Sequence, residues 1–488
     1  MQLDEDICER ARLSRDRRFD GRFIVAVVTT GIYCRPVCPA RMPARDNVRF
    51  YPTTAAAQDA GYRPCLRCRP EAAPRMPEWA LASDLVQRGM RLIDAGFLDD
   101  ANTAALGARL GVSARHLDRL FQHELGTTPS QLAQTRRVLL AKRLITETGL
   151  PMTKVALHAG FGSVRRFNTA MQRAYRVPPQ QLRRQEETAK AQQLQVTLPV
   201  RQPYCVDWVF DFLKQRALPC MEAVDGHTYK RRLGPGADSE LSVCWTGSEL
   251  RLTVPEAALK GEGQTPPTTL VQLLPRVRRL FDLDADSAVI DQALMTEPRL
   301  QAQLQRSPGL RVPGAWDGFE IAVRAILGQQ VSVARARNLA IELCERFGAG
   351  LFPSAEALVD ADVSAIGMPG RRGAAVRALA SAVLAGDLAL DEHADSQTLK
   401  EGLQALPGIG PWTAGYVAMR VARDPDAFPD ADWVVLKQLQ MTPAKARKLA
   451  EAWRPWRAYG LMYLWADSVQ WQPPDESRQF RAPRRKGA

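Results

Sequence analysis

Four of the nine cysteines in this 488-residue chain stand in two close pairs, Cys34 and Cys38 in "YCRPVC" and Cys65 and Cys68 in "CLRC". The spacing is C-x3-C, then twenty-six residues, then C-x2-C. Each pair can turn both sulfurs to one side, so the four can share a tetrahedral ion. Residues 1–80 contain no histidine, so the ligand set would be all cysteine. Four thiolates in a reducing compartment suit Zn2+. A divalent ion with four thiolates is doubly negative, and Arg35, Arg41, Arg63, Arg67 and Arg69 surround it in sequence. Such electron-rich sulfurs are nucleophiles where exposed. Alkylation of one would remove a negative charge, and a chemical event could then change affinity for a phosphate backbone.

A second candidate lies near the C-terminus. "LPGIGPW", 406–412, has the form of a helix-hairpin-helix, in which Gly408 and Gly410 expose backbone amides to a DNA phosphate. Beyond it, "AFPDADWVVLKQL" starts a helix at Asp432. On that stretch alone Asp432 is an N-cap, worth about 1 kcal/mol. Trp412, Tyr416 and Trp465, taken singly, are core aromatics.

These groups need elements to hold them. The length calls for three or four domains. Hydrophobic residues are 45% and charged residues 24%, an ordinary globular balance, and the net charge of +13 favours a polyanionic partner. The N-terminus is charged and lacks the apolar core of a signal peptide, and no apolar run is long enough to span a membrane. A cytoplasmic protein with reduced thiols is expected. "FIVAVVTTGIYC" reads as a strand followed by a turn at Gly31.

From 81 to 185 the pattern is helical, with helix-turn-helix rhythm twice. One turn lies near Gly111, with Ser113 capping a helix that carries Arg115, His116 and Arg119. The other lies at Gly160–Gly162, before Arg165 and Arg166. A polar linker is expected at 186–195, a mixed strand-and-helix segment at 196–283, and helices from 284 to 488. The expected fold class is multidomain and mainly α with α+β parts.

Three resemblances follow from these motifs. "VVTTGIYCRPVCPAR…NVRFY…GYRPCLRCRP" resembles the N-terminal domain of the Ada adaptive-response regulators over residues 1–80. The resemblance implies that Cys34 takes a methyl group from a DNA methylphosphotriester. Cys38, Cys65 and Cys68 would then complete the zinc site, with Arg35 and Arg67 against the DNA backbone. "GFGSVRRFNTAMQRAY…PPQQLR" resembles the DNA-binding domain of AraC-type activators, covering 81–185. "AWDGFEIAVRAILGQQVSV", "IGMPGRRGAAVRALA", "LPGIGPWTAGYVAMR" and "WRPWRAYGLMYLWADSVQWQP" resemble AlkA-type alkylbase glycosylases of the helix-hairpin-helix superfamily, from about 196 to 475.

The last resemblance implies that Asp432 is the catalytic aspartate, with Asp430 as the competing candidate. Trp412, Tyr416 and Trp465 match the family's aromatic base pocket. Lyases of this fold carry a lysine where Trp412 stands, so a monofunctional enzyme with water as nucleophile is implied. Alignment on "ILGQ" puts Gln330 at the wedge position, where the family has an apolar residue. Hairpins of this type also hold a monovalent cation through backbone carbonyls. No "PCHR" string, the mark of the second methyltransferase domain of Ada, occurs, so no direct repair of alkylated base oxygens is expected.

The function implied is a monomeric alkylation-response protein. It would sense methylphosphotriesters, bind promoter DNA, engage RNA polymerase, and excise 3-methyladenine-type bases from damaged duplex DNA. The alternative is a zinc-stabilised transcription factor whose glycosylase-like half only binds DNA.

Overall fold

The computed structural model of the chain describes residues 4–74, 83–183, 193–235, 239–260, 269–391, 394–469 and 471. The basic tail and most of the expected linker lie outside these residues; 193–195 already belong to a strand.

The N-terminal part is a four-stranded sheet of order β3-β1-β2-β4. The expected single strand is a hairpin, β1 (Ile24–Val27) and β2 (Ile32–Cys34), because Gly31 takes φ 62° and reverses the chain. Strand β2 pairs antiparallel with β1 and parallel with the short β4 (Arg63–Pro64), while β3 (Val48–Tyr51) lies on the other side of β1. The parallel pairing matters, since β2 ends at Cys34 and β4 runs into Cys65. Both cysteine pairs therefore emerge at the same end of the sheet.

The helical part follows the sequence closely. Thr103–Leu110 ends at Gly111 with φ 77°, and Ser113 caps Ala114–Leu125 by accepting from the His116 amide at 3.2 Å. The long helix Pro129–Glu147 connects this unit to the second one, Met152–His158 and Val164–Tyr175. Glycine is required at Gly160: its φ is 84°, and a Cβ there would sit 2.1 Å from Asp99 Oδ2.

Residues 193–255 form a five-stranded antiparallel sheet of order β5-β9-β8-β7-β6, with the helix Val206–Arg216 packed on β6 and β7. The strands are β5 (Gln193–Pro199), β6 (Glu222–Asp225), β7 (Thr228–Arg232), β8 (Glu240–Trp245) and β9 (Glu249–Pro255). Their inward side chains, such as Val196, Leu241 and Leu252, alternate with outward polar ones.

The core under this sheet does not stop at the expected boundary of 283. Phe281, Leu283, Ala285 and Ile290 belong to one apolar cluster with the sheet, and so do Leu461 and Tyr463 from the far end of the chain. Residues 315–422 build a separate core around Val323, Leu343, Leu379 and Val417. The helical C-terminal region is thus two lobes, one of them fused with the sheet, since the helix Leu270–Leu280 shares one apolar cluster with the strands. A buried ion network joins the lobes. Arg231 reaches Glu222 at 2.9 Å and Glu320 at 2.5 Å, and Arg324 reaches Glu320 at 2.8 Å and Glu222 at 3.3 Å.

The two halves are docked on each other. Arg91 Nη1 donates to the carbonyl of Ala422 at 2.9 Å, Arg109 pairs with Asp391 at 2.6 Å, and Arg22 pairs with Asp286.

Candidate functional site

The sheet ends bring Cys34, Cys38, Cys65 and Cys68 together, with all four sulfurs within 4.8 Å of one another. Tetrahedral thiolate coordination of zinc needs sulfurs roughly 3.8 Å apart, given a Zn–S bond of about 2.3 Å. The cluster fits that ion. Mutual hydrogen bonding drives the thiols apart in acidity: bonds with Cys38 and the other two push Cys34 up, and the bond with Cys34 pulls Cys38 down to about 7. Cys34 is 9% exposed, and Cys38 is the most exposed of the four.

The arginines divide into two kinds. Arg67 is exposed, as expected of a backbone contact. Arg35 is not: its Nε donates to Asp20 Oδ1 at 2.9 Å and its Nη1 to the Cys68 carbonyl at 3.2 Å. Buried Asp20 needs a counter-charge, and Arg35 supplies it while bracing the cysteine loop. The same domain is keyed to the long helix Pro129–Glu147. Gln58 donates to the Tyr33 hydroxyl at 3.0 Å and accepts from Thr135 at 2.8 Å, and Arg69 pairs with Glu147 at 2.6 Å.

Arg115, His116 and Arg119 are exposed on the second helix of the first unit, as are Arg165 and Arg166 on that of the second. Arg165 and Arg166 line an open groove of about 1440 Å³ together with Arg173 and Arg176, and across it stand Tyr62 and Arg63 of the cysteine domain.

At the C-terminal hairpin, Ser396–Gln404 and Pro411–Val421 are joined by a turn in which Gly408 has φ 82° and would place a Cβ 3.0 Å from Ala375. Gly410 is exposed and faces open space, so its backbone is approachable. Gln329 clamps the turn, with its Nε2 donating to the Gly408 carbonyl and to Thr413 Oγ1, both at 3.0 Å. Sequence reasoning missed Gln329, although it stands in the quoted "ILGQQ". Its neighbour Gln330 is exposed at the tip, held at φ 56°.

Asp432 is 5% exposed and caps Trp433–Leu439 through Oδ1, which accepts from the Val435 amide at 3.0 Å. Its oxygens also accept from two indoles: Trp412 Nε1 lies 2.9 Å from Oδ2, and Trp465 Nε1 lies 3.2 Å from Oδ1. Trp412 stacks on Tyr416 with ring centres 5.5 Å apart and planes 13° from parallel, and Tyr416 meets Trp465 at 6.4 Å. The competing Asp430 is paired with Arg447. The structure thus gathers Asp432, Trp412, Tyr416 and Trp465 into one site and leaves Asp430 outside it. Tyr416 carries a further partner that the sequence did not show, Arg420, whose Nη1 donates to its hydroxyl at 2.6 Å. Burial raises the Tyr416 phenol, but Arg420, Arg216 and Arg324 outweigh it and hold it below its ordinary value.

Among the described residues no helix is long and apolar enough to cross a membrane.

Residues 7–71 match the metal binding domain of Ada, 106–185 a helix-turn-helix domain, and 195–317 the AlkA N-terminal domain. The probable bifunctional transcriptional activator/DNA repair enzyme AlkA of Mycobacterium tuberculosis is 40% identical over 98% of this chain and 100% of its own length. DNA-3-methyladenine glycosylase 2 of Escherichia coli is 35% identical over 57% of this chain and 99% of its own. The bifunctional transcriptional activator/DNA repair enzyme Ada of Escherichia coli is 36% identical over 33% of this chain and 43% of its own. An Ada-type four-cysteine domain, a helix-turn-helix segment and an AlkA-type glycosylase half follow one another here, and the chain belongs to the family of bifunctional transcriptional activator and DNA repair proteins.

Proposed function

We propose that the C-terminal half hydrolyses the N-glycosidic bond of alkylated bases of the 3-methyladenine type, and that the N-terminal half takes methyl groups from DNA methylphosphotriesters onto Cys34. The observation that carries the first activity is the hold on Asp432. A helix-start amide and two indole N–H groups fix its carboxylate beside the aromatic wall of Trp412 and Tyr416. Preorganised in this way, the carboxylate stabilises the positive charge that develops on the sugar as the base departs. The wall offers π faces to a cationic alkylated base. Reaching it requires the nucleotide to leave the stack, and Gln330 at the exposed tip fills the gap. Trp412, not a lysine, stands at the hairpin position immediately before Thr413, so no amine is placed there to bond the sugar carbon and water attacks it instead.

In the N-terminal half the Cys34 sulfur attacks the methyl carbon. The new S–C bond forms as the O–C bond breaks, and the phosphodiester leaves with the electron pair. The four cysteines would hold Zn2+, which when bound keeps the thiols deprotonated. Arg67 approaches the backbone, and Arg35 orients the loop through Asp20 and Cys68. Methylation removes one negative charge beside DNA, which strengthens binding to a promoter read by Arg115 and Arg119 in one unit and Arg165 and Arg166 in the other. The groove shared by Arg63 and Arg165 supports one DNA molecule engaging both domains.

Incubation of the full chain with methylated duplex DNA, followed by peptide masses and a count of freed bases, tests both activities. Freed methylpurines from the unaltered chain and none from Asp432→Asn are the expected results, with one methyl group on Cys34 in both. Base release that persists in Asp432→Asn removes the assignment.

A further inference from the structure

Trp412, Tyr416 and Arg420 are four residues apart on the helix Pro411–Val421, so they form one row on one face, each step roughly 6 Å along the axis. Asp432 stands at one end of the row, hydrogen-bonded to Trp412. Arg420 stands at the other end, 2.6 Å from the Tyr416 hydroxyl and 3.0 Å from the Gly314 carbonyl, and it is only 3% exposed. The aromatic wall therefore lies between a fixed negative charge and a fixed positive one.

The positive end is not cancelled by its surroundings. Arg420, Arg216 and Arg324 all face Tyr416. Arg324 is tied through Glu222 and Glu320 to Arg231, which makes four guanidinium groups against two carboxylates in the linked cluster. Arg216 covers the Phe212 ring at 3.7 Å and Arg420 covers it at 5.0 Å, so the cluster is packed over apolar surface where charges act strongly.

We propose that Arg420 is a specificity-determining residue: its charge, held at the Tyr416 hydroxyl, stabilises the electrons that flow onto the departing base and extends release to lesion bases that carry no positive charge. The proposal rests on the base-excision activity inferred above. When the glycosidic bond breaks, its electron pair goes to the base nitrogen and the positive charge to the sugar. Water then bonds to the sugar carbon and loses a proton to solvent. A cationic base such as 7-methylguanine leaves neutral and gains little from Arg420. A neutral lesion base such as hypoxanthine leaves as an anion, later protonated by solvent, and its developing negative charge is repelled by Asp432 and drawn toward Arg420.

The experiment is single-turnover release by the full chain from duplexes holding one hypoxanthine or one 7-methylguanine. Arg420→Met is expected to lower hypoxanthine release at least about fivefold more than 7-methylguanine release, an effect of the size of one preorganised charge contact. Arg420→Lys, which keeps the charge, is expected to restore most of that ratio. Tyr416→Phe removes the hydroxyl and leaves the guanidinium, so its ratio should stay within about twofold of the unaltered chain. Equal losses on both bases, no loss in Arg420→Met, or a collapsed ratio in Arg420→Lys would overturn the proposal. So would release of 7-methylguanine but not hypoxanthine by the unaltered chain. If Arg420→Met does not fold, Arg420→Gln, which also removes the charge, is read by the same ratio, with the same expected and overturning results. Release of neither base by the unaltered chain would instead sink the base-excision activity itself.

Discussion

Trp412 Nε1 lies 2.9 Å from Asp432 Oδ2, so a residue of the aromatic wall also holds the carboxylate. The indole does two jobs that substitution can part. Trp412→Phe keeps a ring to stack on Tyr416 and removes the donor. A hydrogen bond to a charged group contributes about 1.5–3 kcal/mol, so base release should fall at least about tenfold. Affinity for methylated duplex should move far less. Single-turnover release beside a binding titration checks this; equal losses in both would mean that Trp412 only stacks.

Asp432 is a helix cap and a buried carboxylate at once, and the two roles predict different costs. Asparagine caps nearly as well as aspartate, so Asp432→Asn should leave the thermal midpoint close to that of the unaltered chain. Asp432→Ala loses the cap and leaves two indole N–H groups without their acceptor, and should cost more than the cap's share of about 1 kcal/mol. Both should lose base release by at least about a hundredfold, since neither carries the charge. Melting curves and release rates on the pair separate folding from chemistry.

Much of this arrangement was legible in the residues because it is local. Ser113 caps the helix that its position announces, and Gly111, Gly160 and Gly408 turn where positive φ is needed. The cysteine spacing gave the cluster. What spacing does not carry is partnership across the chain. Nothing near Arg35 in sequence shows that Asp20 will claim it, and nothing near Arg420 shows that the Gly314 carbonyl will hold its other guanidinium nitrogen. The reach of the core beneath the sheet is hidden for a like reason. Leu270–Leu280 has the apolar periodicity of a helix, and periodicity does not say that Leu461 and Tyr463 close the same core.

Within the cysteine domain itself little else holds the fold. Its apolar clusters are small, one built on Cys8, Ala11, Phe23, Val25 and Val48 and another on Ile24, Ala26, Tyr33 and Ala57. Cores of this size depend on a staple. Stripping zinc under reducing conditions should open amides of β2 and β4 to hydrogen exchange and abolish methyl acceptance at Cys34. Base release should persist, since the Asp432 site shares no residue with the cluster. Exchange mass spectrometry and a release assay on one chelated sample check both; unchanged protection of β2 would show that the domain folds without metal.

Asp282 supplies a pH dependence whose sign is unusual for a carboxylate. It is 5% exposed, and its Oδ2 accepts from the Tyr459 hydroxyl at 2.9 Å and the Val312 amide at 3.2 Å. Burial pushes its pKa from 3.8 up to about 6, against the pull of Arg311 and Arg423. Between those values the folded chain keeps a proton that the unfolded chain has released, so stability is lost as pH rises through this window and is regained as pH falls. Complete titration bounds the effect at about 3 kcal/mol. Asp282→Asn keeps the shape and cannot ionise. The variant should therefore gain on the unaltered chain as pH rises from 4 to 7, seen as a growing difference in thermal midpoint. Subtracting one chain from the other cancels depressed carboxylates such as Glu222, where burial opposes and Arg324 and Arg231 prevail, and whose dependence runs the opposite way. A difference that stays flat over that range would mean that Asp282 remains ionised in the folded protein.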